Sequence, residues 1–484
     1  MLESSYVAPE RRLKINTGRF VLLAFLAAAP SSHADLTAQL IQNTVVDPNA
    51  LTIVGTYGPS INGESFQQFP IISAGGWQYV AYYDGDRHVC LARRKLPAGP
   101  WEIIHFTDYL FKSNDAHNVV SMGICPKDGT IHLAFDHHVS PLHYRVSKKG
   151  VTLHPSDVKW TADLFGPITD TLDRKLDHFT YPNFVATPQG NLQLFYRYGT
   201  SGAGDRWVVD YDADSGTWRH GRQIDTGTGT FQDQIGRSTH RNGYENGYTY
   251  GPDGRLHSIW CWRESATGSA NHDICYAWSD DHGFTWHNNA GQIVNSGDGQ
   301  KIISFDSPGI TAVPIDRTFS LMNQQTQAVD SKGRIHVTMW HRRDDMPYQN
   351  KPWDPASSAY FHYWRNDDGR WQRSMIPSPV GNRPKMFFDN RDNVYVVFMV
   401  NRDPARRQSD LYFLDGELRI AAATPASKWT DWRIIYRDPG HFMNEPLQDL
   451  PRLADDGILS IFVQDSAVRP RQSTPLRILD FRFN

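Results

Sequence analysis

The chain has 484 residues, a formal net charge of −3, 15 Trp, 37 Gly and 29 Pro, and 12% of its residues are aromatic. That composition is β-rich and turn-rich, and its apolar content excludes a disordered chain. Mild acidity argues against a nucleic-acid partner, and the length exceeds one small domain, although all-β propellers run long as single units.

The first 34 residues read as a secretory signal. Arg11, Arg12, Lys14 and Arg19 precede the apolar run FVLLAFLAAA (20–29), which is too short for a membrane span, and SHA (32–34) ends in small residues. Cleavage is expected after Ala34, giving a secreted or periplasmic protein with residues 35–484 as its one domain. No later segment could span a bilayer, so no membrane partner is expected. The four cysteines, Cys90, Cys125, Cys261 and Cys275, are too few for a disulfide scaffold in so long a chain. Cys261 and Cys275 fall on successive predicted strands and could pair or share a metal.

A repeat then runs through the chain: a small polar turn followed by an alternating strand. Its seven copies begin with SAGGWQYVAYYDGD (73–86) and PKDGTIHLAFDHH (126–138) and end with ADDGILSIFVQDS (454–466). Aligned on Gly76, Gly129, Gly190, Gly254, Gly333, Asp392 and Gly457, they lie 53 to 79 residues apart, room for four short strands each. No interval holds a long amphipathic helix. The fold expected is all-β, a seven-bladed β-propeller, with LRILDFRF (476–483) closing the ring against LTIVGTYG (51–58). SDDHGFTW (279–286) fits the Asp-box turn and is read as structural, with Asp281 on backbone amides and Trp286 plugging a blade.

Equivalent strand ends in a ring converge on one face, so the polar residues that follow each repeat point toward a shared pocket. These include His137 and His138, Arg197, Arg263 and Glu264, His341 and Arg342, and Asn401 and Arg402. NDAHNVV (114–120) adds His117 and Asn118, and HFTYPNF (178–184) adds Tyr181. There is no nucleophile elbow and no strong metal spacing. Histidine, tyrosine and arginine together suit proton abstraction next to a carboxylate: arginine neutralises the carboxylate, and histidine or tyrosine moves the proton. On a uronate this is β-elimination.

The segments 115–145, TYPNF (180–184) and LFYRYGTSGAGD (194–205) resemble the propeller polysaccharide lyases, the group of the ulvan lyases and the L-rhamnose-α-1,4-D-glucuronate lyases. The resemblance implies His137 as lead acid/base, Tyr181 as its partner, His117 as an orienting group and Arg197 on the carboxylate. Asn118, Arg241, Asn242, Tyr244 and Arg263 are the expected substrate contacts. The expected partner is an anionic, uronate-containing polysaccharide, acted on by a monomer. No organic cofactor and no catalytic metal are expected. A structural zinc or calcium is expected at most, with His272, Cys275 and His282 as ligand candidates. Strand alternation turns His137 into the pocket and His138 away from it. An exo-acting rhamnose–glucuronate lyase of gum arabic type is the reading. An endo-acting ulvan lyase, a sialidase-like hydrolase and a non-catalytic carbohydrate-binding propeller are the alternatives.

Overall fold

The seven aligned repeat positions share one backbone conformation. In the computed structural model, Gly76, Gly129, Gly190, Gly254, Gly333, Asp392 and Gly457 all have φ between 60° and 82°. This left-handed region is open to glycine and tolerated by aspartate. At Gly76, Gly254 and Gly457 an added Cβ would meet nothing within 4 Å, so the dihedral, and not crowding, calls for glycine there.

The structure describes residues 36–484 except 53–59, 347–353, 404, 406–412 and 468–471; the expected leader, 1–34, lies outside the described residues. Each repeat turn leads into the second strand of an antiparallel meander. The first meander is Ile71–Ala74, Trp77–Tyr83, His88–Lys95 and Glu102–Leu110. The second strands of the others are Ile131–Phe135, Leu192–Thr200, Leu256–Arg263, Ile335–Arg342, Val394–Asn401 and Ile458–Asp465. These strands are flanked by sheet on both sides and packed on both faces. Val394–Asn401 is buried at every residue, whereas half the residues of the outer strand Trp371–Ile376 are exposed. The α-helix among the described residues is short, Leu450–Asp456. No helix among them is long and apolar enough to cross a membrane.

The first strands face one another. Ile71–Ala74, Val120–Ile124, Phe179–Ala186, Asn242–Tyr250, Thr326–Val329, Lys385–Phe388 and Phe442–Asp449 each pack against the next, and the last packs against the first. The closing strand differs from the expected one. Thr474–Phe483 pairs with Ala38–Ala50, Ala38 opposite Phe483 and Ala50 opposite Thr474. That upstream segment offers thirteen residues of alternating exposure, while most of 51–58 lies outside the described residues. The Asp-box turn is structural as read: Asp281 accepts from Ser279 Oγ and the Thr285 amide at 2.7 Å each, and Trp286 is buried. All four cysteines are buried free thiols, so Cys261 and Cys275 do not form the disulfide allowed by sequence.

The closing meander is fastened to the first by charge. Asp480 accepts from Arg94 Nη2 at 3.0 Å and from Arg452 Nη1 at 2.6 Å, and all three side chains are almost wholly buried. Replacing Asp480 by alanine leaves two buried guanidinium groups short of a counter-ion. The expected loss is about 3–5 kcal/mol of unfolding free energy in urea denaturation. A loss below about 1 kcal/mol would mean that water or another group takes up the charge.

Candidate active site

The site begins at Asp115, which precedes a first strand and holds two imidazoles. Its Oδ1 meets His117 Nδ1 and its Oδ2 meets His138 Nδ1, each at 2.5 Å. The two rings stack at 4.2 Å, and Phe66 stacks on the other face of His117 at 5.2 Å. Burial raises the Asp115 carboxyl, but the two imidazole donors outweigh it and hold the group well below the usual carboxylate range. Nδ1–H donation to the carboxylate leaves Nε2 as the lone-pair nitrogen of the neutral His117 ring.

His138 reaches this place because the strand Ile131–Phe135 ends early. Asp136 and Val139 both have left-handed φ, 59° and 58°, and the short strand His138–Ser140 crosses to the next meander, where His138 pairs with Thr180. Alternation therefore fails across Asp136, and the expected orientations are reversed. His137 is 1% exposed and faces inward: its Nε2 accepts from the His143 amide at 2.8 Å, and its ring lies edge-on to Phe179. His138 is the one beside His117.

Tyr181 sits on a β-bulge between Thr180 and Asn183 with φ of 58°, an unfavourable conformation for a bulky side chain. Its ring centroid lies 6.0 Å from that of His117 and 5.4 Å from that of Phe66. The Arg197 guanidinium stands 4.8 Å from the Tyr181 ring. No residue among those described hydrogen-bonds the Tyr181 hydroxyl. Burial pushes this phenol up from its ordinary 10, and Tyr244 adds to the effect, against the opposing charges of Arg197, Arg263 and Arg383.

Arg197 is 2% exposed and has no carboxylate partner among the described residues. It donates to Tyr244 Oη and Thr180 Oγ1, each at 3.1 Å, and its buried Nε has no hydrogen-bond partner. Glu245 is the nearby acid, and burial pushes it up to about 7 despite Arg206 and Arg197, which weakens it as a counter-ion. A buried guanidinium left short of negative charge is a receptor for an anion.

The other expected contacts divide. Tyr244 lies in the site, its hydroxyl shared between Arg197 and Ser201. Arg263 lies over the Tyr244 ring, its guanidinium 4.9 Å from the centroid. Asn118 packs behind the site and donates to Asp136 Oδ1 at 2.5 Å. Arg241 and Asn242 are placed structurally, against expectation. Arg241 is fully buried on Glu264 at 2.8 Å and on the carbonyls of Thr228 and Gly229. Asn242 accepts from the Gly202 amide and donates to the Gly204 carbonyl, tying down the neighbouring hairpin. Their polarity drew attention, but it satisfies buried partners. Asp115, Phe66, Thr180 and Arg383 went unread. Asp115 carries a signal, an acid two residues before a histidine; Phe66 and Arg383 lie outside every repeat strand.

The expected metal ligands do not converge. His272 is held by Glu264 at 2.9 Å and Asp273 at 3.1 Å, His282 meets the Tyr250 hydroxyl at 3.2 Å, and Cys275 is buried within its sheet. A β-bulge at Asp273, which has φ of 57°, lies between His272 and Cys275, each side chain is taken up by its own surroundings, and His282 lies in the turn beyond. Two other clusters bring ligand atoms within 4.8 Å of one another: Asp115–His117–His138, and Asp84–Cys90–His105 on the first meander.

Burial lowers the His117 imidazole from its ordinary 6.5 to about 4, against the pull of Asp115, and burial lowers His341 and His257 to about 4 as well. These groups are neutral when folded and take protons when unfolded as pH falls below 6.5. The unfolded chain then binds more protons, so stability should fall steadily from pH 6.5 toward pH 4. Urea midpoints across that range check this; a flat profile would contradict the neutral buried histidines.

Residues 77–379 match the family described as "BNR repeat-containing family member". A long-isoform ulvan lyase of Alteromonas sp is 24% identical over 403 residues, covering 70% of this chain and 38% of that protein. One of Pseudoalteromonas sp. (strain PLSV) is 24% identical over 404 residues with the same coverages. The chain thus spans well under half the length of these relatives. Among solved structures, polysaccharide lyase Uly1 superposes with a TM-score of 0.70 at 17% identity, covering 92% of this chain and 99% of that one. A PL25 ulvan lyase bound to -[GlcA(1-4)Rha3S]- superposes with a TM-score of 0.62 at 12% identity, covering 90% and 95%. These likenesses agree with the resemblance to propeller lyases read from 115–145.

Proposed function

The chain belongs to the BNR repeat-containing family, and from that footing we propose that it is a polysaccharide lyase that cleaves a rhamnose–uronate linkage by β-elimination. The observation that carries the reading is Arg197, a buried guanidinium without a carboxylate partner among the described residues, set against Tyr181 and close to the Asp115–His117–His138 cluster. Seven blades closed by the Ala38–Ala50 strand form the framework, a reading supported by the circle of first-strand contacts.

Arg197 pairs with the uronate carboxylate and makes the C5 proton acidic. His117, neutral down to about pH 4, takes that proton at Nε2, and Asp115 stabilises the imidazolium as it forms. Tyr181, kept protonated by burial, gives its proton to the departing glycosidic oxygen at C4. Groups whose surroundings push their pKa values apart divide the roles of base and acid in this way. His138 fixes Asp115 and the stacked ring, and Tyr244 and Arg263 line the approach. The step uses no organic cofactor and no catalytic metal, since Arg197 supplies the neutralising charge.

For the substrate, the relatives' names favour an ulvan-type chain of glucuronate and sulfated rhamnose over gum arabic. The N-terminal basic and apolar pattern supports action outside the cytoplasm. Incubation with ulvan and with gum arabic, followed by viscometry and mass spectrometry, tests this. A fast viscosity fall on ulvan with unsaturated oligosaccharides is expected. Free rhamnose from gum arabic alone would restore the exo-acting reading, and products heavier by one water would indicate a hydrolase.

A further inference from the structure

A second set of chemically reactive side chains lies on the first meander, among residues that take no part in the site around Tyr181. The hairpin DGDRHVC (84–90) places Asp84 at the end of one strand and Cys90 inside the next, and His105 stands directly opposite Cys90 on the third. Cross-strand partners project to the same face. Cys90 Sγ is 3.3 Å from His105 Nδ1 and 3.4 Å from Asp84 Oδ2, and that carboxylate oxygen is 2.8 Å from His105 Nδ1. The Oδ1 atom of Asp84 is already committed to the His88 amide at 2.8 Å, which turns Oδ2 toward the thiol and the imidazole.

We propose that Asp84, Cys90 and His105 form a binding site for a zinc-class divalent ion, with His88 or a water in the fourth position. Zinc bound at about 2.0–2.3 Å by O, N and S sets its tetrahedral ligands about 3.3–3.6 Å apart, so two of the three spacings fit and the third must open by about 0.5 Å. The mixed S, N and O donor set selects zinc or cobalt over calcium or magnesium. His88 Nδ1 lies 3.4 Å from the same Asp84 oxygen, and rotation of its side chain brings it into the shell. Cys90 is fully buried, whereas the His105 side chain is 46% exposed, so the ion enters from solvent past the imidazole. On binding, Cys90 loses its thiol proton to water and ligates as thiolate.

The place suits a structural ion. Asp84 bridges Ala50 at the end of the closing strand, and the Gly85 amide donates to the Asn49 carbonyl at 2.6 Å. Tyr82 donates to Asp47 on the same strand at 2.8 Å. An ion at Asp84 therefore fixes the turn against which the closing strand rests.

The test is a cobalt titration of the chelator-treated full chain, read by absorbance and by thermal melting. One equivalent of cobalt should produce a thiolate-to-cobalt charge-transfer band and raise the melting temperature. Both should be lost in Cys90→Ser and in His105→Ala, the latter a change at an exposed side chain that leaves the core intact. Both should persist in Cys275→Ser. Cobalt bound without a charge-transfer band would overturn the proposal, because Asp115–His117–His138 carries no thiol. A band surviving Cys90→Ser, or no cobalt bound at all, would overturn it as well.

Discussion

Arg197→Ala should lower kcat/KM on a uronate polysaccharide by about 10²–10³, with most of the loss in kcat. The carboxylate grows more electron-rich as the C5 proton leaves, so its counter-charge matters more in the transition state than in the bound ground state. Arg197 meets this need from a fixed position, held by Tyr244 and Thr180, and among the described residues it gives up no ion pair to do so. Arg197→Lys should recover only part of the loss, because a lysine ammonium is a point charge that cannot grip both carboxylate oxygens while also holding Tyr244 and Thr180. Steady-state kinetics with both variants check this. An unchanged kcat with a raised KM would assign Arg197 to binding alone.

Tyr181→Phe should lower kcat by about 10²–10⁴ while leaving substrate affinity nearly unchanged. The phenyl ring is retained between Phe66, His117 and Tyr244, so packing survives and only the hydroxyl is lost. That hydroxyl has no hydrogen-bond partner among the described residues, so its removal strands no buried donor. A bulky residue held at φ of 58° where no internal bond holds its hydroxyl is strain kept at a working position. Equal activity of Tyr181→Phe and the parent would remove Tyr181 from the chemistry and leave the two histidines to act as both base and acid.

Much of the framework was legible. The repeat turn announces itself because a left-handed position admits few residues, and all seven aligned positions have that dihedral. The meeting of His117, Tyr181 and Arg197 was legible because strand ends in a repeated unit converge. The choice between His137 and His138 was not. It depends on the left-handed Asp136, which breaks the alternation, and aspartate is common enough in turns that its type gives no warning. Arg241 and Asn242 misled for the opposite reason: their polar groups look free in a sequence, and only the fold supplies Glu264 and the backbone amide and carbonyls that satisfy them. Asp115 was overlooked beside the more conspicuous His117, although its two oxygens organise both rings.

The most direct measurement is ultraviolet absorbance of ulvan incubated with the protein, run in parallel with His117→Ala and His137→Ala. A rise from the 4,5-unsaturated uronate is expected with the parent. It should be abolished in His117→Ala and retained in a folded His137→Ala, whose ring faces away from the site. No rise with the folded parent, or a rise abolished by His137→Ala and untouched by His117→Ala, would contradict the elimination site described around Asp115, Tyr181 and Arg197.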